Sequence, residues 1–171
     1  ITPAAAIGSF QFGRCVDVSA SRIVVGNPTA QSPVSLNRPL EVYDRSTTGW
    51  VRNLSVVNPT TAGPIPLLGN WVASTGDWIG CGNVSVNGSI WLFRDVGNGS
   101  WTDVIQLDSP APPPTFFGRN FDMDGDLMVV GDARFDGNQF SWEGRAFVYR
   151  LIAGVWSLVD TIAPPAGVVQ N

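Results

Sequence analysis

Residues 12–27, FGRCVDVSASRIVVGN, align without a gap on 68–83, LGNWVASTGDWIGCGN, and on 117–132, FGRNFDMDGDLMVVGD. Each segment is an apolar run, a small polar turn and a second apolar run ending at Gly26, Gly82 or Gly131. The turns are Ser19-Ala20-Ser21, Thr75-Gly76-Asp77 and Asp124-Gly125-Asp126. Short apolar runs on either side of such a turn predict a β-hairpin. Three such hairpins in one chain predict a repeat architecture.

Working outward, each copy continues with a third apolar run: LEVYDR (40–45), IWLFRD (90–95) and AFVYRL (146–151). Trp50, Trp101 or Trp156 then opens a fourth, which runs toward Pro59, Pro110 or Pro164. Pro-rich connectors, NPTTAGPIP (58–66) and SPAPPPT (109–115), separate the copies. The pattern predicts one repeat domain over 1–171, with copies at approximately 1–57, 58–108 and 109–171. With 19 glycines and 13 prolines, the chain has little room for long helices. The expectation is an all-β protein of three four-stranded antiparallel sheets.

The pattern F-G-x-x-V-D-V-S-x-x-x-I-V-V-G, followed by V-Y-x-R and then G-x-W, resembles the FG-GAP repeat. That repeat occurs in integrin α-subunit heads and in many secreted microbial proteins. The resemblance implies that each copy forms about one blade of β-propeller type. The second copy departs from the pattern, with Leu68 in place of phenylalanine and Gly80-Cys81 interrupting an apolar strand. Three blades do not close a propeller of the usual four to eight. The alternative is a closed pseudo-threefold β-trefoil or β-prism. Strands apolar on both sides, such as those holding Ile23-Val24-Val25 and Met128-Val129-Val130, suit the middle of a stack. Both end copies are therefore expected to present a largely apolar face to a partner.

The composition excludes several chemistries. The chain has no histidine and no lysine, which removes the usual bases for activating a serine or cysteine nucleophile. No phosphate-binding glycine motif is present, and an enzyme is not expected. Charged residues are only 14% of the chain and the net charge is −4, so nothing marks a nucleic-acid partner. No apolar run reaches the ~20 residues that a membrane-spanning helix requires. The opening ITPAAAIG lacks the basic and apolar regions of a signal peptide, so the chain reads as already processed or excised.

Asp122, Asp124 and Asp126 gather oxygens in the manner of a calcium site. FG-GAP repeats, however, carry calcium in a longer loop at this point, and here that turn is short. No metal or cofactor is expected. Cys15 and Cys81, an even pair in neighbouring copies, are a candidate disulfide. Asn53, Asn83, Asn87 and Asn98 each open an N-x-[ST] sequon and are candidate glycosylation sites. Trp78, Trp91 and Trp142 lie outside the repeated tryptophan column and are candidates for stacking on a sugar.

Together these features predict an extracellular structural or adhesive glycoprotein module, secreted or at the cell surface. Its partners are expected to be protein, either copies of itself or the rest of a larger propeller, with glycans attached covalently. The alternative function is a carbohydrate- or ligand-binding propeller module.

Overall fold

A computed structural model describes residues 11–28, 40–56, 68–83, 87–97, 101–112, 115–133 and 144–165. The described chain is all β, in twelve strands. The first four are β1 (Val16–Val18), β2 (Arg22–Gly26), β3 (Leu40–Ser46) and β4 (Gly49–Val56). Then come β5 (Trp71–Thr75), β6 (Trp78–Asn83), β7 (Ser89–Asp95) and β8 (Trp101–Asp108). The last four are β9 (Asn120–Asp124), β10 (Leu127–Asp132), β11 (Arg145–Ile152) and β12 (Val155–Ile162). Each group of four is one antiparallel sheet with its strands in chain order.

The copies repeat in detail. In the second and third hairpins the turn glycine has positive φ, 52° at Gly76 and 58° at Gly125, and an aspartate follows it. That is the φ pattern of a type II′ turn, whose twist suits paired strands. The first hairpin has no glycine there; Ser19 instead accepts the Arg22 backbone N–H on its Oγ at 3.0 Å. The third and fourth strands carry a register shift at the same place in every copy: after Val42, Leu92 and Val148. Trp50, Trp101 and Trp156 pair with Arg45, Asp95 and Leu151, so all three hold the position expected for a repeat column.

The sheets lie in a row. β5 packs against β1 on one side and β9 on the other, which puts the second sheet in the middle. The row is not closed, so the trefoil or prism alternative is not what forms. One core fills the space between the first two sheets, with Val24, Val42, Ile79 and Phe93 at its centre. A second, richer in aromatics, fills the space between the second and third, with Trp78, Phe117, Phe147 and Trp156. The middle sheet is accordingly buried along all six residues of β6, whereas β9 and β10 alternate between buried and exposed. A strand covered on both faces carries continuous apolar sequence, and one covered on a single face alternates.

Glycine sets how closely the sheets approach. A methyl group built on Gly26 collides with the backbone oxygen of Gly69, and one on Gly82 collides with that of Gly118. Gly69 and Gly118 belong to the turns that open the next sheet, and both have positive φ (91° and 79°). The corresponding Gly131 in the third sheet meets only the side chain of the exposed Asn120. Gly82→Ala is therefore expected to cost about 1–3 kcal/mol, as for overpacking against fixed backbone. Gly131→Ala should cost clearly less, since Asn120 can swing away. Urea unfolding of the two variants checks this, and equal losses would contradict it.

Candidate assembly surface

The contacts between sheets follow one rule. The first residue of each hairpin's second strand reaches the repeated tryptophan of the next sheet. In the first sheet this residue is Arg22, whose guanidinium lies 5.2 Å from the centroid of the Trp101 ring. It also bonds Asp44 of its own sheet at 2.9 Å and Asp95 of the second sheet at 2.5 Å. Burial alone would lower the Arg22 pKa, but the hydrogen bonds it donates to the two carboxylates, with their charges, outweigh that and hold it raised. In the second sheet the same position is Trp78, packed edge-on against Trp156 at 6.2 Å with the Arg94 guanidinium on its ring. In the third sheet it is Leu127, 37% exposed, with no further sheet beside it among the described residues.

The first strands add polar links across the same interfaces. Ser74 Oγ donates to Asp17 Oδ2 at 2.5 Å, and Trp71 Nε1 donates to the Phe121 carbonyl at 2.7 Å. Trp71 lies in a column that holds Cys15 and Asn120 in the other copies, so repeat matching gave it no signal.

The two outer faces differ. On the third sheet, Asp122, Val129 and Val148 form one cross-strand row, and Gly131 with Ala146 forms part of the next. The first sheet's inner face has Asp17, Val24 and Val42 in the same places, and Gly26 with Leu40 beside them. There Val24 and Val42 are fully buried beneath the second sheet, whereas Val129 is 41% exposed. The third sheet's outer face thus repeats a surface that takes a neighbouring sheet elsewhere in the chain.

The first sheet's outer face corrects the expectation of a plain apolar end. Val16 and Val18 are exposed there, but Glu41 and Tyr43 on β3 are buried. Tyr43 Oη donates to Glu41 Oε2 at 2.7 Å, and Arg52 Nε lies 3.4 Å from the same oxygen. Trp91 and Phe147 hold the Glu41 position in the other sheets, so a hydrogen-bonded carboxylate replaces an aromatic.

Several sequence candidates now find their places. Trp78 and Trp91 are buried in the cores between sheets, so neither offers a ring face to a sugar, and that role is corrected for both. Trp142 lies outside the described residues. Asn83 falls in a column with Asn27 and Asp132, and all three residues are buried and have partners within the fold. Asp132 Oδ1, for instance, accepts the Phe116 backbone N–H at 2.8 Å. Asn83 is thus buried rather than presented at the surface. Asn53 is half-buried, and its amide donates to Asp44 Oδ2. Asn87 is exposed at a turn, and Asn98 lies outside the described residues.

Asp122 and Asp124 are exposed on β9, and Asp126 lies beyond the turn, 3.4 Å from Arg150 Nε. Among the described residues, no three His, Cys, Asp or Glu side chains gather as they would around a metal ion. Cys15 and Cys81 are both thiols. A cleft of 430 Å³ beside the second sheet is lined by polar groups that include Asn87, Ser89, Gln106 and Asp108.

The chain's two tyrosines supply a test at alkaline pH. Burial raises the Tyr149 phenol from its usual 10.0 to about 12. Burial, together with the bond to Glu41, raises Tyr43 further. Each phenol then holds its proton more tightly folded than unfolded, so its contribution to stability is complete below pH 10 and drains as pH rises toward 12. Unfolding midpoints measured across that window should fall, and Tyr149→Phe should flatten the fall. A profile unchanged by that substitution would contradict the assignment.

No protein-family model matches the chain, and no curated protein matches it, so the functional reading rests on the geometry above.

Proposed function

We propose that this chain is an extracellular structural or adhesive glycoprotein module that assembles with other protein through its propeller-like blades. The observation that carries the reading is the outer face of the third sheet. Asp122, Val129, Val148 and Gly131 reproduce, type for type, the Asp17, Val24, Val42 and Gly26 that the second sheet covers. A surface of that kind fits another blade of the same repeat, with a glycine turn to sit on Gly131 and a hydroxyl-bearing first strand to meet Asp122. Leu127 and Ile162 add apolar area on this side of the sheet. Burying such surface favours association, against which the entropy of assembly must be set.

The absence of histidine and lysine supports a role without catalysis. The low charge content and the exposed sequon at Asn87 support an extracellular setting with covalent glycans. The carbohydrate-binding alternative draws its support from the polar cleft beside Gln106 and Asp108. Glycan-array binding that disappears on Asp108→Ala would favour that reading.

Sedimentation of the purified chain over a range of concentrations tests the assembly reading. Association is expected at micromolar protein, weakened at least roughly tenfold by Val129→Asp, as for a buried unpaired charge at an interface. The unfolding free energy from urea titration should stay within about 0.5 kcal/mol of wild type, because Val129 lies on the surface of the isolated chain. A wild-type chain that stays monomeric, with Val129→Asp sedimenting identically, would overturn it. Expression through a eukaryotic secretory pathway should add a hexosamine-containing mass at Asn87 that Asn87→Gln removes.

A further inference from the structure

Cys15 and Cys81 come from different sheets and meet in one place. Cys15 directly precedes β1, and its carbonyl accepts the Gly26 backbone N–H at 2.8 Å. Gly26 is the residue against which the Gly69 carbonyl of the second sheet packs, so Cys15 is held where the two sheets come closest. The Cys15 thiol lies 3.8 Å from the Val72 carbonyl on β5. Val72 is the cross-strand partner of Cys81, and paired residues in an antiparallel ladder present their side chains on the same face. Both cysteines accordingly belong to the core between the first two sheets, Cys81 fully buried and Cys15 half-buried at its edge.

We propose that Cys15 and Cys81 form an intramolecular disulfide that staples the first sheet to the second when the chain meets a disulfide oxidant. The staple falls at the interface with the poorer aromatic core. Trp91 and Phe93 fill that core, whereas Trp78, Phe117, Phe121, Phe147, Tyr149 and Trp156 fill the other.

The chemistry balances with a small disulfide such as oxidised glutathione. The Cys15 thiol, the more accessible of the two, loses its proton and attacks one glutathione sulfur. The S–S bond of the oxidant breaks, and the departing glutathione thiolate takes up a proton. Cys81 then loses its proton and attacks the Cys15 sulfur, forming the protein disulfide and releasing the second glutathione. Two protein thiols are oxidised and one glutathione disulfide is reduced to two thiols. Burial pushes the Cys81 thiol well up, only partly offset by the Gly69 N–H, so the second step is slow and quickens with pH.

The intact chain, held native in a glutathione redox buffer, alkylated and cleaved at arginine, reads the outcome. Mass spectrometry should find fragment 15–22 joined to fragment 53–94. Oxidation should raise Tm by roughly 5–10 °C, the scale set by a disulfide closing a long segment. Cys15→Ser should fold and lose this redox dependence. Cys81→Ala, which leaves no polar group in the core, should lose it too. A lasting glutathione adduct on Cys15 beside a free Cys81 would overturn the proposal, as would dimers linked through Cys15 or two thiols that both alkylate after denaturation. The result does not depend on what docks against the third sheet.

Discussion

The arrangement depends on backbone touching backbone at Gly26 and Gly82. Each glycine ends the second strand of its sheet, and the carbonyl of the next sheet's opening turn packs where a side chain would stand. Side chains that pack between sheets normally hold them about 10 Å apart. A bare glycine lets them close at one end of the sheet while Val24, Ile79 and Phe93, or Met128 and Val130, fill the space beyond it. The turns can make this approach because Gly69 and Gly118 take positive φ, which aims their carbonyls at the neighbouring strand.

From that contact the other features follow in order. Once the turn is seated, the second strand of one sheet lies beside the fourth-strand tryptophan of the next. The position facing that tryptophan is Arg22 at one interface and Trp78 at the other. The two solutions are chemically different. Arg22 joins two carboxylates and the Trp101 ring, so its charge is matched by hydrogen bonds at a partly buried site. Trp78 meets Trp156 edge to face, an arrangement that the ring quadrupole favours. One geometry therefore accepts either an ionic or an aromatic plug.

The ends of the row express the same rule with one side unanswered. The third sheet keeps the docking residues, and β9 and β10 alternate because none of the other described sheets packs on their outer face. The first sheet has instead placed Glu41, bonded by Tyr43 and Arg52, where its neighbours carry Trp91 and Phe147. The two ends of the row are thus chemically different.

Much of this was legible in the sequence because a strand repeat leaves a linear mark. Glycine ends, turn triplets and the column of Trp50, Trp101 and Trp156 recur at matching places, and local hydrogen bonding turns them directly into hairpins and register. Which side of each strand is covered was not legible, since that depends on the order in which the sheets stack. Trp78 and Trp91 look available in the sequence and are buried, because the second sheet has a neighbour on both faces. Asn83 reads as a glycan acceptor, yet its position beside a docked turn buries it. Cys15 and Cys81 occupy unrelated columns, and only the packing of β1 on β5 brings them to one patch. The sequence by itself determined the strands and their repetition, because turn chemistry and strand pairing are local. The tertiary structure alone decided which side chains meet across sheets and which remain exposed, because those contacts join residues that no short-range pattern connects.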